Sequence, residues 1–401
     1  MKKFLFVTMV VIIAGGLFLA VDFYFKNFRG VGPTIKSPPE DISEIIEKSG
    51  DGAKNETEMP LSLPRGFSIS VFAKDLPGAR VMALDSLGNM WVSQTSEGII
   101  SLLEVKDGEV VSKSKVFSGL NKPHGLAFNT KDPFSLYIAE ENKISRTRIY
   151  SEGNLEKVVD LPGGGRHFTR TILFSSEEKL LISVGSSCDV CEEKDSRRAK
   201  ILVYDPDLNG LKPFASGLRN AVFMAVNPQT DEVWATEMGR DYLGDNLPPD
   251  EINIIKEGKN YGWPICYGKN IHDSSFDKNI YIRNPCQEPF EASSHIDIPA
   301  HSAPLGLAFF PKEGWPKEYQ NDLLVSYHGS WNRTAPTGYK VVRYKLDADG
   351  NYLSEEDFIS GWLTKDGALG RPVDILIQPN GTIYISDDKA GVIYKVVYGE
   401  N

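Results

Sequence analysis

The chain has little histidine and little cysteine, with 6 His and 4 Cys among 401 residues. No cysteine lies near the N-terminus, which excludes a lipid carried on an N-terminal cysteine. Glu192, not histidine, follows Cys191, so the CxxC pair does not carry covalent haem. A phosphate-cradling glycine loop and a serine-nucleophile elbow are both missing. Positive charge is in deficit: 44 Lys and Arg face 54 Asp and Glu, a net charge of −10. Nucleic acid is therefore excluded as a partner, because a phosphate backbone needs a basic face.

Long apolar runs are also scarce. The exception is Phe4–Val21, preceded by Lys2 and Lys3. Its length is near the minimum for a membrane span and at the long end for a signal core. Residues 1–30 thus read as a signal anchor or a signal peptide, and the Phe18-Leu19-Ala20 end makes a poor cleavage site. Either way the leading lysines stay cytoplasmic and the rest lies outside, so the expected location is extracytoplasmic, periplasm or cell surface, anchored or secreted. The membrane is met through this segment only. Residues 31–61 are rich in acid, Gly, Pro and Ser and read as a flexible tether.

What remains is abundant glycine and aromatics, and a pattern that recurs six times. An apolar strand, a turn bearing Asn, Asp, Gly or Pro, and a second strand rich in β-branched residues begin near Arg80, Pro123, His167, Leu218, Ala303 and Arg371. The first four starts lie roughly 40–50 residues apart, the period of a β-propeller blade; longer later intervals imply insertions. We expect an all-β, six-bladed β-propeller over residues 62–401, preceded by the hydrophobic helix and the tether. The last strand, around GVIYKVVYG, is expected to pair with GFSISVF near Gly66–Phe72 and close the ring.

The unit starts carry an unusual polar set: Pro123-His124, Arg166-His167, Arg219-Asn220, His301 and Arg371. Equivalent positions in a propeller come to one mouth of the axis, so these groups should line a common pocket. Arginines suit an anionic ligand, and a histidine suits proton transfer near neutral pH. Plain structural roles are open for His124, as a turn cap, and for His301, as a hydrogen-bonded histidine. His272 and His295 lie in an insertion and receive no role.

The stretches GGRHFTRTILF, GSSCDVCEE, GLRNAVFMAVNP, PPDEIN followed by NYGWP, HSAPLGLAFF, HGSWNR and GRPVDILIQPNG resemble the soluble pyrroloquinoline-quinone (PQQ) dependent sugar dehydrogenases, the glucose/sorbosone dehydrogenase family. The resemblance implies a six-bladed propeller and hydride transfer from C1 of an aldose or similar sugar to PQQ. It places His167 as general base and Arg219 beside the developing charge. Asn220 and Arg371 fall on cofactor contacts, and the backbone carbonyls of Gly239 and Arg240 on ligands of a Ca²⁺ ion. The family's fifth-blade lysine is replaced by Ser326-Tyr327-His328, a second arginine by Val373, and a second-blade glutamine is absent near His124. The cofactor clamp would then be rebuilt from His328, Arg333 and Arg170, with His124 near. Asp250 and Glu251 either bind a second calcium or face solvent, and solvent is the favoured reading. Electrons would leave for a respiratory quinone or another acceptor.

An even cysteine count in an exported chain favours disulfides, paired Cys188–Cys191 and Cys266–Cys286; a four-cysteine zinc site is the alternative. Two other functions compete. A calcium-dependent lactonase-like hydrolase needs axial carboxylates, and a non-catalytic propeller would have kept the fold and lost the cofactor.

Overall fold

The computed structural model describes residues 15–19, 53–151, 154–205, 210–289 and 291–399. Most of the hydrophobic run and the tether lie outside them; residues 15–19 are helical and exposed. Among the described residues no helix is long and apolar enough to cross a membrane.

Five four-stranded antiparallel sheets and one five-stranded sheet are arranged as six blades, and the second strands of five of them are buried at every position. The inner strands are Ala79–Leu84, Leu126–Phe128, Ile172–Phe174, Ala221–Val226, Pro304–Phe309 and Pro372–Ile377. Each pairs with the strand that follows it, as the recurrent unit requires. Ring closure occurs where expected: Phe67–Ala73 pairs antiparallel with Val392–Tyr398, so one blade is made from both ends of the chain. Lys54–Asn55 then adds in parallel outside Phe67–Ala73, and Leu61 is buried. The propeller therefore starts ahead of residue 62.

A repeated side chain joins the blades. In the second strand of five blades the same register holds Ser93, Ser183, Thr236, Ser326 or Ser386, all buried, while the second blade has Ala139 there. Ser183, Thr236, Ser326 and Ser386 donate across the blade boundary to the inner-strand carbonyls of Ala221, Leu305, Val373 and Arg80 respectively. The Asp374 carboxylate adds a further tie, accepting from the Met82 backbone N–H at 2.8 Å. Apolar blade faces fill the rest. One cluster runs through Trp91, Val222, Trp234, Leu307 and Tyr344, and another through Phe67, Phe310, Trp315, Phe358 and Trp362.

All inner strands leave the same mouth, so the residues just before them share one rim. Long connections gather there, and both disulfides lie in such connections: Cys188–Cys191 after the second strand of blade three, and Cys266–Cys286 across the blade-four insertion. The pairing is the one expected, and it leaves no thiolate for a zinc site.

Replacing Ser326 by Ala removes the donor to a buried carbonyl. The expected loss is about 1–3 kcal/mol in urea unfolding, the cost of an unmet buried acceptor. An unchanged midpoint would show that apolar packing alone sets the blade spacing.

Candidate active site

His167 arrives on GGGRHFTR. Gly164 and Gly165 take positive φ of 74° and 90°, and a Cβ on Gly165 would fall 2.8 Å from Ser187 Cα. Two buried arginines hold this loop by its carbonyls. Arg198 donates to the carbonyls of Gly163 and Gly164 at 2.7 and 2.6 Å, and Arg170 to those of Pro162, His167 and Thr169. Gly185 lets the ring in, since a Cβ there would sit 2.7 Å from the Cβ of His167. The imidazole Nδ1 lies 3.0 Å from the Ser186 carbonyl and 2.9 Å from its hydroxyl. The hydroxyl donates to the Cys188 carbonyl, so Nδ1 must carry the proton in either contact. Nε2 has no partner among the described residues and is left with its lone pair. Burial, then Arg219 and Arg166, pushes the imidazole well below its usual value, which keeps it neutral at neutral pH.

His167 lines a cleft of about 220 Å³ with Arg166, Arg219, Gly239, Asp241, Asp250, His301, Trp331 and Asn332. Asp241 is the charge hub. It pairs with Arg166 at 2.6 Å and Arg219 at 3.4 Å, and accepts from Asn332 at 2.7 Å. Burial raises its carboxyl against the pull of those arginines. Arg219 is also held by Asp189, at 2.7 Å through the carboxylate and 2.9 Å through the carbonyl. Trp331 is 42% exposed on the cleft wall and offers a flat apolar face.

Around the rim stands a second charged group. Arg80 pairs with Asp388 at 2.6 Å, and His328 Nε2 donates to the same carboxylate at 2.8 Å. Burial holds His328 at about 4, while His328 and Arg80 hold Asp388 far below the carboxylate range against its own burial. The pair is therefore a neutral imidazole on a carboxylate whose charge Arg80 balances. Arg371 donates to the carbonyls of His328 and Gly329. No carboxylate among the described residues lies in ion-pair reach of it. Arg80 and Asp388 line a second opening with Phe168, the residue next to His167.

Several expected residues lie elsewhere. Arg170 is fully buried and engaged with the glycine loop, so it is a scaffold and not part of a clamp. His124 is fully buried at 5.3 Å from the Phe223 ring, with Nδ1 near Thr171 Oγ1, and lines neither opening. Arg333 reaches Asn246 and the Ala300 carbonyl at the outer rim. Asn220 is buried behind His167, its backbone N–H bonded to Glu237. Asp250 and Glu251 do not face solvent: Asp250 accepts from the N–H groups of Gly239 and Ala303, and Glu251 from that of Gly268. The PPDEIN stretch thus fastens the cleft backbone, including Ala303 at φ 54°. His301 lines the cleft with Nε2 on the Gly244 carbonyl.

Gly239 lines the cleft, while the Arg240 side chain turns away to Asp273 at 2.7 Å. Neither residue's carbonyl accepts a hydrogen bond from the described residues, as suits oxygens free for a hard cation. Residues not singled out from sequence are Arg80, Asp189, Asp241, Trp331 and Asn332. Arg80 was the most accessible, because it heads its unit as Arg371 does; the others sit in connections outside the repeat.

The model of the TrAA12-like family matches residues 61–399. The chain belongs to that family. It is 31% identical over 366 residues to an uncharacterized protein of Borreliella burgdorferi, covering 86% of this chain and 93% of that one. It is 25% identical to a pyrroloquinoline quinone-dependent pyranose dehydrogenase of Coprinopsis cinerea, over 83% of this chain but 54% of the relative, so it spans about half of that protein. The solved holo form of the PQQ domain of Coprinopsis cinerea pyranose dehydrogenase superposes with a TM-score of 0.71 at 21% identity, over 87% of this chain and 99% of that one. This last likeness agrees with the six-bladed fold.

In a histidine-selective NMR titration of the chain, His167 should titrate below 6.5, its ordinary value. Arg219→Leu should raise the midpoint, because a neighbouring cation is lost while burial remains. A midpoint at or above 6.5 in the parent chain would contradict the buried, cation-flanked setting.

Proposed function

We propose that this protein is an extracytoplasmic quinoprotein oxidoreductase that oxidises an aldose or similar sugar at C1, with PQQ and Ca²⁺ as cofactors. The observation that supports this most is a neutral imidazole with an unpartnered Nε2 beside Arg219, on a rim that also carries Arg371, which has no ion-pair partner among the described residues. The donor set fits the group: a quinone bearing three carboxylates needs cations without internal partners, and free carbonyls at Gly239 and Arg240 suit the ion. When bound, PQQ supplies a two-electron acceptor for hydride from the sugar carbon.

The chain's own part is binding and proton handling. Arg371 would hold a carboxylate, while Arg80 and His328 are already committed to Asp388. Trp331 offers a flat wall, and its exposed ring excludes water from whatever lies against it. His167 Nε2 takes the proton of the sugar C1 hydroxyl as that carbon is oxidised. Ser186 keeps the accepting nitrogen turned outward. Arg219, pinned by Asp189 and Asp241, fixes positive charge where negative charge grows on the reacting oxygen. Both carboxylates of the cleft are already committed, Asp241 to guanidinium groups and Asp250 to backbone N–H, which speaks against a lactonase-like hydrolase with axial metal-binding carboxylates.

The test is reconstitution of the full chain with Ca²⁺ and PQQ, followed by sugar-dependent dye reduction. His167→Ala should keep quinone binding and lose roughly 10²–10⁴ in kcat. Arg371→Leu should weaken quinone binding by about 10–100-fold, the worth of a charge-assisted contact. Below neutral pH the rate should fall only under the lowered His167 value. Failure of the parent chain to bind quinone would end this reading.

A further inference from the structure

The two disulfides differ in setting. Cys266 and Cys286 are 6% and 1% exposed, whereas Cys188 and Cys191 are half-exposed at the rim. The more exposed bridge closes a three-residue step, and the backbone inside it touches Arg219 directly and His167 through the Ser186 hydroxyl. The Cys188 carbonyl accepts from Ser186 Oγ at 2.7 Å, and that hydroxyl is 2.9 Å from His167 Nδ1. The next residue, Asp189, gives its carbonyl and carboxylate to Arg219 and accepts the Asp241 N–H at 2.9 Å. Its carbonyl also takes Trp263 Nε1 at 3.3 Å. Beyond the bridge, Glu193 accepts from the N–H and hydroxyl of Ser187. One short closed loop thus orients a base and a cation that lie more than fifty residues apart in sequence.

We propose that the Cys188–Cys191 disulfide is a redox-sensitive clasp that orients His167 and Arg219. This rests on reading the cleft as a sugar-oxidising site. A dithiol reductant opens it in two exchanges. One reductant thiolate attacks a protein sulfur, forming a mixed disulfide and releasing the other cysteine as a thiolate. The second reductant thiol then displaces the first cysteine. Two electrons and two protons pass to the protein, which gains two thiols, and the reductant leaves as its own disulfide. Once open, the loop no longer fixes the carbonyls of Cys188 and Asp189. Nδ1 keeps the Ser186 carbonyl, but the Ser186 hydroxyl, freed from the Cys188 carbonyl, can turn and donate to Nδ1 in the other tautomer, and Arg219 loses two of its anchors. Ser186 and Asp189 are positioning residues in this scheme, acting through His167 and Arg219.

The full chain, titrated with dithiothreitol, tests the clasp. Alkylation and mass spectrometry should find Cys188 and Cys191 labelled at reductant levels that leave Cys266 and Cys286 bridged. In the cofactor-free chain, imidazole ¹⁵N shifts of His167 should report the Nδ1–H form when oxidised and a tautomer mixture when reduced. With quinone bound, kcat should fall about 10–100-fold on reduction, the usual cost of losing an orienting partner, and recover on reoxidation. Sugar KM and quinone affinity should move less than about threefold. Ser186→Ala should lower kcat and shift its pH profile, and Ser186→Thr should restore both. Unchanged ¹⁵N shifts on reduction overturn the clasp, as does full kcat in the reduced chain. If quinone binds in neither redox state, the functional reading fails by itself and the ¹⁵N result still decides the clasp.

Discussion

Neighbouring blades are tied by a hydroxyl in the second strand of one blade, bonded to an inner-strand carbonyl of the next. Four such bridges, from Ser183, Thr236, Ser326 and Ser386, recur at one register. Inner strands near the axis present backbone carbonyls away from water, and a buried acceptor left unpaired is costly. The hydroxyl meets that need and fixes how far each blade is rotated against its neighbour. The rim inherits this spacing, because its residues either precede the inner strands, as His167, Arg219 and Arg371 do, or follow the second strands, as Asp189, Asp241 and His328 do.

Charge at the rim is arranged in two ways. Beside His167 the cleft guanidiniums are answered by acids: Arg166 and Arg219 by Asp241, and Arg219 again by Asp189. Burial and the neighbouring cations lower the imidazole, so the ring stays neutral and its outward nitrogen keeps its lone pair. Around Arg371 the answer is withheld. Its donors go to carbonyls, and no carboxylate among the described residues is within ion-pair reach, Asp388 and Asp387 acting on it only from farther off. A half-buried cation in such a place is stabilised when an anionic ligand arrives.

The propeller was legible because its unit repeats. Strand, turn and strand recur with unchanged polarity, and even the bridging hydroxyl appears in LISVG, WATE, VSYHG and YISDD. The rim was legible only in part. His167, Arg219 and Arg371 head their units, so the repeat carries them to the mouth. Arg170 and His124 sit by the same unit starts, yet they turn into the core, because strand register fixes Cα positions and does not say which way a long side chain runs. Asp189, Asp241 and Trp331 come from connections, where no period guides the eye. Asp250 and Glu251 were expected to bind a second calcium or to face solvent, with solvent favoured; in place they are buried, satisfied by backbone N–H groups of neighbouring loops.

The central claim is that one rim carries a proton acceptor, His167 Nε2, and a cation without an ion-pair partner among the described residues, Arg371, and that both serve a single flat anionic cofactor. A crystal structure of the full chain grown with Ca²⁺ and PQQ tests this most directly. The account predicts density for one quinone across the mouth from which the inner strands start, with a carboxylate on Arg371, the ion on the Gly239 and Arg240 carbonyls, and His167 Nε2 facing the ring. A quinone at the opposite mouth, or one held away from both Arg371 and His167, would contradict it.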